Sequence, residues 1–366
     1  MNRFTRILLP GLVLQGVVIG GGYATGREVV EYFLKYGLQG AWQGLCLVAL
    51  IWSALFAVAF VFARSTQSYD YGRFAGALLS RLQYLFDVVL ILLMLLIVAV
   101  MCSAAGELYA NAFGADPVYG ELLLALLIIA GVMFPANWLG SVMALWSIVL
   151  YAGYGALLAA CIGRYGSDIS TAFLHAQSAE GWSLSAAGYA AYNLAAIPAV
   201  LFTLRGLKSR REAGLAGVIA GVLAVLPCIM MTFILAGFLP EVLESPVPIL
   251  FVLNELSHPT LTLLMQIAIL GTFWQTGVGS LNALNDRIAA VRAPASSPLW
   301  TRPLLACLFI GAAWYIGNTF GVVTLVDKGY GYLTFAFIGF FIVPLLTIGV
   351  ARIFTDSRSE KAGSSV

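Results

Sequence analysis

The sequence is poor in charged and metal-binding side chains. Only 10% of its 366 residues are charged, against 61% that are hydrophobic, whereas a soluble domain carries roughly 25% charged residues. Histidine occurs only at His175 and His258, both outside the apolar segments, which excludes most zinc, haem and Ser-His-Asp sites. A chain this apolar is predicted to be a polytopic membrane protein.

Cysteine motifs and nucleotide-binding loops are also missing. The five cysteines all lie inside apolar segments, and no two form a C-x-x-C pair, so we interpret them as small buried side chains. The chain has no GxxxxGK[ST] loop, which argues against ATP-driven transport by a single chain. A net charge of +2 without a basic cluster predicts no nucleic-acid partner.

What the sequence does have is a series of long apolar runs. A membrane-spanning helix needs about 20 apolar residues. The chain is therefore predicted to be an all-α membrane protein with ten transmembrane helices, and 240–259 is predicted to hold an interfacial helix. The ten segments are 7–36, 41–64, 81–112, 119–134, 138–163, 183–206, 213–239, 260–288, 302–319 and 330–354.

The ten segments divide into two halves of opposite topology. Residues 7–163 form a first five-helix repeat and 183–354 a second, joined by an outer loop at 164–182, with cytoplasmic tails at 1–6 and 355–366. Because five is odd, the second half starts on the opposite side and is inverted. Of the 19 Lys and Arg residues, all but four fall on the side of the termini, which predicts that both termini are cytoplasmic. The four are Arg27, Lys35, Arg164 and Lys328.

Helix-breaking residues interrupt segments 1 and 6. Segment 1 contains GGGYATGRE at Gly20–Glu28, and segment 6 contains YAAYNLAAIPAV with Asn193 and Pro198. Pro198 removes one donor and frees the carbonyl of Leu194, and a glycine triplet disfavours helix. Freed backbone groups are tolerated in a bilayer only beside a cavity, so matched breaks in inverted halves predict a transporter's binding site. The alternative is a glycine-rich packing face or a simple kink.

These motifs resemble the YkvI-like group of uncharacterised bacterial membrane proteins. That group carries Gly-Ala-Gly-Phe-Ala-Thr-Gly-Gln-Glu in its first helix and Tyr-Asn followed by proline in its sixth, and here Arg27 stands where glutamine is usual. The group in turn resembles the amino acid–polyamine–cation (APC) superfamily. That resemblance implies a LeuT-like five-plus-five inverted repeat with helices 1 and 6 broken. It also implies secondary active transport of a small solute.

The residues at the two breaks are the candidate substrate site. Freed N–H groups from Thr25 to Glu28 are expected to hold an anionic group such as a carboxylate. The amide of Asn193 is expected to contact a solute or to cap the next half-helix. The solute is predicted to be an amino acid or a related carboxylate. The candidate substrate-binding residues are Gly21, Gly22, Tyr23, Thr25, Gly26, Tyr192, Asn193 and Ala196.

Charged residues inside the membrane mark pathways. Arg27 and Glu31 lie four apart on one helical face, and Glu107 should lie at a similar depth. We expect Arg27 to pair with Glu31 or Glu107, either as an outer gate or as a permanent structural bridge. On the cytoplasmic side, Asp87 and Asp286 are interpreted as solvated interfacial charges, and the alternative is an inner gate with an arginine.

The sequence is compatible with either sodium or a proton as the coupling ion, and no other cofactor is predicted. A sodium site would combine backbone oxygen at Gly20 with the hydroxyls of Thr272 and Thr276, although such hydroxyls also serve helix packing. Proton coupling would use Glu28, whose alternative role is to cap its helix. Sodium-dependent relatives carry adjacent hydroxyls, whereas Thr276 is followed by Gly277, which favours the proton.

Other classes of function use the same features differently. A solute-binding sensor or a channel could share the fold, because a fold does not fix function. A membrane-embedded enzyme would have to rely on Glu28, Arg27 and Asn193, without a histidine or a nucleophile–base pair. The chain is therefore predicted not to be an enzyme.

Overall fold

The computed structural model describes residues 3–134, 136–291 and 301–355. Within these ranges the chain is helical, with short connections and no β-strand. Seven helical stretches there are long and apolar enough to cross a membrane, so the chain is an all-α integral membrane protein. The predictions for the ends of both tails, and for Arg292, Arg358 and Lys361, lie outside the described residues.

Among the described residues, the first half of the chain contains eight α-helices. Its helix α8 passes through a kink at Tyr165 (φ −120°, ψ 23°) and continues to Leu174, so much of the predicted outer loop 164–182 is helical instead. The helices are α1 (Arg3–Val18), α2 (Gly21–Ala24), α3 (Arg27–Tyr32), α4 (Gly37–Ser65), α5 (Tyr71–Leu79), α6 (Gln83–Phe113), α7 (Val118–Val132) and α8 (Ala136–Leu174).

The described part of the second half contains seven α-helices, among them the short helix predicted within 240–259. Its final apolar stretch, Thr301–Thr355, is interrupted by Gly321 in the left-handed region (φ 71°) and contains π-helical turns, the first of them at Leu325–Gly329. The helices are α9 (Trp182–Asn193), α10 (Ile197–Val200), α11 (Arg210–Ala236), α12 (Pro248–Leu256), α13 (Pro259–Val291), α14 (Thr301–Thr324) and α15 (Tyr330–Phe337).

The first segment is interrupted at two single glycines, Gly20 and Gly26, and not along the whole glycine triplet, because Gly21 and Gly22 lie in the helical turn α2. The chain leaves α1 at Gly20, which is extended (φ −91°, ψ −164°), and it turns again at Gly26, which is left-handed (φ 83°). A side chain at Gly26 would be strained, because residues with a Cβ disfavour this region. Between the two turns α2 makes a single helical turn, which crosses α6 so closely that a Cβ on Gly21 would lie 3.0 Å from the backbone nitrogen of Met101.

The second interruption is milder, and the prediction of non-helical backbone near Asn193–Ile197 is wrong. Asn193 keeps helical dihedrals (φ −68°, ψ −14°), and the chain tightens into a 3₁₀ turn at Leu194–Ala196. The N–H of Ile197 donates to the carbonyl of Leu194. Pro198 has no N–H to donate to the carbonyl of Leu194, but the 3₁₀ turn gives that carbonyl another donor. Segment 6 therefore does not need to unwind.

Helix α11 packs against α4 through two glycines. A Cβ on Gly221 would lie 2.7 Å from the Cα of Ser53, and one on Gly217 would lie 2.6 Å from the carbonyl carbon of Phe56. The Ser53 hydroxyl donates to the carbonyl of Val218 at 3.1 Å. This is the close approach that small residues four apart permit between membrane helices. Helix α11 also contacts α1 and α8, and so supports the interrupted first segment.

Candidate functional site

A buried carboxyl group lies beside the first interruption. Glu28, in the first turn of α3, is only 4% exposed. Its side chain folds back over Gly22, where a Cβ would lie 2.6 Å from Oε1, so glycine is required there for space. The hydroxyl of Tyr192 lies close to this carboxyl without forming a hydrogen bond of standard geometry, and Oε2 of Glu28 has no partner among the described residues.

Four buried tyrosines, which we call the tyrosine cage, lie near this carboxyl: Tyr32, Tyr189, Tyr192 and Tyr330. The ring centroids lie 5.5 Å apart for Tyr32 and Tyr189, 5.7 Å for Tyr32 and Tyr192, and 5.0 Å for Tyr192 and Tyr330. The hydroxyls of Tyr32 and Tyr189 have hydrogen-bond partners. Those of Tyr192 and Tyr330 are buried without one in the part of the chain that the structure describes.

The predicted substrate residues of segment 1 are buried together. The Tyr23 hydroxyl donates to the carbonyl of Ala224 in α11 at 3.2 Å, and the Thr25 hydroxyl donates to the carbonyl of Gly22 at 2.9 Å. Both side chains are fully buried. Their polar atoms therefore hold the interrupted helix in shape.

The predicted residues of segment 6 lie on the other side of the cage. The side-chain amide of Asn193 donates to the carbonyl of Tyr189 at 3.0 Å, one turn back in the same helix. Ala196 ends the 3₁₀ turn and is 6% exposed. Tyr192 is the residue of this group that faces Glu28.

The backbone N–H groups expected to bind an anion are mostly occupied, and this expectation is corrected. The N–H of Thr25 donates to the carbonyl of Gly21 at 3.3 Å, and that of Gly26 donates to the carbonyl of Tyr23 at 3.0 Å. The N–H of Arg27 donates to the hydroxyl of Thr25 at 3.4 Å. Three of the four expected donors are thus used within the turn, two by carbonyls of α2 and one by the Thr25 hydroxyl.

Segment 8 meets the first interruption at one hydroxyl. Thr276 donates to the carbonyl of Ile19 at 3.4 Å, whereas Thr272 donates to Ala268 of its own helix at 2.9 Å. The carbonyl of Gly20 accepts the N–H of Ala24 at 2.9 Å. The backbone oxygen that faces segment 8 is therefore that of Ile19 rather than that of Gly20.

The outer side of the site is closed by Arg27. Its Nη2 donates to Oε2 of Glu31 at 2.6 Å, the first of the two partners that we predict. Its Nη1 donates to the carbonyls of Leu243 at 2.9 Å and Ser245 at 3.1 Å, in the segment before α12. Lys35 also forms an ion pair with Glu31. One buried carboxylate thus forms ion pairs with two cations, and Arg27 joins α3 to the outer connection.

Glu107 does not pair with Arg27 in this structure. Both Nη atoms of Arg27 are occupied by Glu31 and by the two carbonyls, while Glu107 is exposed. Glu107 instead lines an outer cavity of about 300 Å³ with Asn111 and Asn254. Its predicted role in a gate remains a prediction.

At the start of α6, Asp87 is paired, which corrects its interpretation as a solvated charge. Arg287 donates to Oδ2 of Asp87 from Nη2 at 2.6 Å and from Nε at 3.0 Å. The Tyr71 hydroxyl donates to the other oxygen, and its ring lies 5.5 Å from the guanidinium. The pair joins α6 to α13. The side chain of Asp286 lies outside the described residues.

Two buried features escaped the sequence analysis. Tyr330 gave no signal, because nothing near it in the sequence links α15 to segments 1 and 6. Glu121 could have been found as an acidic residue inside an apolar segment. It is 4% exposed in α7, and its Oε2 accepts from Trp314 and Asn318 at 2.5 and 3.1 Å.

Comparisons with known proteins show that the chain shares its fold with a transporter. No protein-family model matches the chain. It is 24% identical over 351 residues to the uncharacterised membrane protein YkvI of Bacillus subtilis, covering 89% of this chain and 92% of that protein. The crystal structure of the Eremococcus coleocola manganese transporter with an aromatic bis-isothiourea substituted compound matches with a TM-score of 0.60. It is 14% identical and covers 94% of this chain and 79% of that chain.

A crystal structure of a mutant of the same transporter matches with a TM-score of 0.58 at 13% identity, again over 94% of this chain and 79% of that chain. At this identity the likeness shows the fold alone. The relatives are named as a membrane protein and as a transporter, not as enzymes, in agreement with the prediction that this chain is not an enzyme. The chain thus has a transporter-like membrane fold, and the resemblance to the YkvI-like group that its motifs predict is confirmed over nearly its whole length.

Proposed function

We propose that this chain is a secondary active transporter that moves a small amino acid or a related carboxylate by alternating access. It lies in a bacterial cytoplasmic membrane with both termini in the cytoplasm. The single observation that carries this proposal is the group of buried, unpartnered oxygens of Glu28, Tyr192 and Tyr330 beside an interrupted helix. Leaving a buried polar group unpaired costs about 1–3 kcal/mol, and a bound solute would offset that cost.

Closure on both sides of the site supports alternating access. Arg27 bonds the first segment to the outer connection, and Asp87 bonds to Arg287 on the opposite side. Each is a small set of charged contacts that a rigid-body movement could break without disturbing the packed core. A transporter that alternates needs such a pair of reversible closures around a central site.

The lengths of the helices support the ten-helix, five-plus-five arrangement. Thr301–Thr355 has 55 residues, about 80 Å of helix against a hydrocarbon core of about 30 Å, so it suits two spans. Two shorter spans add to the seven longer stretches. They are α1 in segment 1 and the 15-residue α7 in segment 4. With the last stretch counted twice, the total is the ten expected of two inverted repeats.

Sodium is the coupling ion that we propose. The contact between Thr276 and the carbonyl of Ile19 brings two hard oxygen ligands together where the first helix is interrupted, and half-helix ends and unwound carbonyls are what such transporters offer to sodium. The alternative is a proton on Glu28, the carboxylate beside the break. The manganese named for the structural neighbour is not proposed here, because the described residues contain no group of three His, Cys, Asp or Glu side chains.

Uptake into proteoliposomes tests the proposal. The purified protein is reconstituted, and uptake of labelled amino acids is followed with and without an inward sodium gradient. A sodium-coupled transporter accumulates solute above the external concentration only with the gradient. Equilibration without accumulation would indicate a channel, and binding without flux would indicate a sensor. Accumulation driven equally well by a proton gradient in sodium-free buffer would show that the coupling ion is a proton, with Glu28 as the group that carries it.

A further inference from the structure

We infer that Glu28 and the tyrosine cage bind an ammonium group of the transported solute. This inference rests on the proposed function and names the part of the solute that the site recognises. A solute that carries only a carboxylate would then not be a substrate. The inference is carried by the number and kind of unpartnered atoms, by the ring geometry and by the distribution of charge.

The unpartnered oxygens match an ammonium group in number. Among the described residues, three buried oxygens of this site lack a hydrogen bond of standard geometry: Oε2 of Glu28 and the hydroxyl oxygens of Tyr192 and Tyr330. The three residues are 4%, 2% and 1% exposed. A primary ammonium has three N–H donors and no acceptor, so each donor can meet one of these oxygens. A carboxylate has only acceptors, and it would leave the Glu28 oxygen unpaired.

The rings suit the same ligand. Tyr192 stands 5.7 Å from Tyr32 and 5.0 Å from Tyr330, and the planes of each pair are tilted by 46° and 39°. The three rings are therefore in contact and form one continuous aromatic surface. Aromatic faces within about 6 Å attract an ammonium ion, and the attraction is stronger where water is excluded.

The surrounding charges leave Glu28 without a cation of its own. Arg27 and Lys35, the cations nearest in sequence, both pair with Glu31. No ion pair of the described residues includes Glu28, and the polar side chains around it are tyrosines and Cys228. A buried carboxylate without a counter-ion is strongly unfavourable. A cationic group of the solute would supply that counter-ion, whereas an anionic group would be repelled.

Carboxylates also line the cavities beside the segment to which Arg27 bonds. Glu241 and Glu244 line a cavity of about 530 Å³, directly beside the connection to which Arg27 bonds. Glu107 lines the neighbouring cavity. Carboxylates at the mouth of a cleft raise the local concentration of cations. The charges outside the closure and the carboxyl group inside it therefore favour the same ligand.

A matched panel of compounds tests the inference. Each of the common amino acids is tested together with the amine formed by removing its carboxyl group and with the acid formed by removing its amino group. Binding to the purified full-length protein is measured by thermal shift and by calorimetry. We expect hits among amino acids or amines and none among the acids.

Variants connect the hits to the cage. Glu28→Gln keeps the shape and removes the charge, and we expect the dissociation constant of the best hit to rise at least tenfold. Tyr330→Phe keeps the ring and removes one oxygen, and we expect a rise of about threefold to tenfold. Tyr332→Phe is the matched control, because Tyr332 lies in the same helix and is 76% exposed. It should leave binding unchanged.

Two results would overturn the inference. One is an acid that binds as tightly as its amino acid. The other is a best hit whose affinity is unchanged in both Glu28→Gln and Tyr330→Phe, and measuring Tyr330→Phe separately guards against a Glu28 variant that fails to fold. If no member of the panel binds, the inference is also wrong. An acid that accumulates in proteoliposomes would contradict the ammonium site but support transport. An amine that binds to the cage without being transported would support the ammonium site but contradict transport.

Discussion

The hydroxyl of Thr276 donates to the carbonyl of Ile19, 257 residues away in the sequence, at 3.4 Å. Ile19 is the last residue before the chain turns at Gly20, and Thr276 is 8% exposed in α13. The contact links the two halves of the chain at the interruption. It is long for a hydrogen bond between oxygens, so an ion with two oxygen ligands can replace it at little cost.

Thr276→Val tests whether this contact marks the sodium site. Valine keeps the shape of threonine and removes the ligand oxygen, so we expect half-maximal uptake to need roughly tenfold more sodium, about 1.4 kcal/mol of lost binding. The measurement is initial uptake against external sodium. Thr319→Val is the control, because Thr319 is exposed and its hydroxyl bonds within its own helix. An unchanged sodium dependence in Thr276→Val would remove Thr276 from the site.

Arg27→Gln tests the outer closure. The change removes one ion pair and two hydrogen bonds to carbonyls, while Lys35 still neutralises Glu31. Hydrogen bonds to charged groups contribute about 1.5–3 kcal/mol each, and water that hydrates the freed groups recovers part of this. We therefore expect the free energy of unfolding to fall by about 2–4 kcal/mol. Chemical unfolding in detergent micelles measures it.

The control for this prediction is Arg73→Gln. The side chain of Arg73 is 77% exposed and pairs with Asp70 at 3.4 Å. An exposed pair of this kind contributes about 0–1 kcal/mol, so the control should unfold almost as the parent does. If Arg27→Gln is no less stable than Arg73→Gln, Arg27 does not hold the outer connection.

Local chemistry explains why the first interruption could be predicted. Gly26 adopts a positive φ that disfavours other residues, and this preference is visible in the sequence itself. The pairing of Arg27 with Glu31 follows from their spacing of four along one helix. Both features depend on residues within one or two turns of each other, so no knowledge of the neighbouring helices is needed.

The features that the sequence did not predict depend on a choice between two backbone conformations or on contacts between residues far apart in the sequence. Pro198 frees the carbonyl of Leu194, but whether the chain unwinds or tightens depends on which donor reaches that carbonyl, and Ile197 reaches it in a 3₁₀ turn. The approach of Tyr330 to Tyr192 brings together helices more than a hundred residues apart. The packing of several helices decides such a contact, and the sequence pattern of one segment does not contain it.

A double-mutant cycle tests the ion pair of Asp87 with Arg287. Asp87 and Arg287 are 14% and 17% exposed at their side chains and share two hydrogen bonds, so removing one partner leaves the other charge poorly solvated. We expect Asp87→Asn, Arg287→Gln and the double variant to give a coupling energy of about 1–3 kcal/mol. The exposed pair of Asp70 and Arg73 should couple by less than about 0.5 kcal/mol. Equal coupling in both cycles would show that the inner pair is merely solvated.

Gly221→Ala tests the contact between α11 and α4 on which the site rests. A Cβ at this position would lie 2.7 Å from both the Cα and the hydroxyl oxygen of Ser53, so α4 must move away. Overpacking of this kind costs about 1–3 kcal/mol, more than the roughly 1 kcal/mol that alanine gains over glycine in a helix. We therefore expect a lower unfolding temperature in detergent.

Gly155→Ala provides the comparison, because a Cβ on Gly155 meets nothing within 4 Å. The same substitution in a helix should there be neutral or stabilising, since only the helix preference acts. The two variants differ in the neighbouring helix and not in the residue introduced, so a difference between their unfolding temperatures measures the close approach itself. Because α11 also contacts α1, a shift of α11 relative to α4 should slow uptake as well. A Gly221 variant that unfolds and transports as the Gly155 variant does would mean that the two helices are not held together at this point.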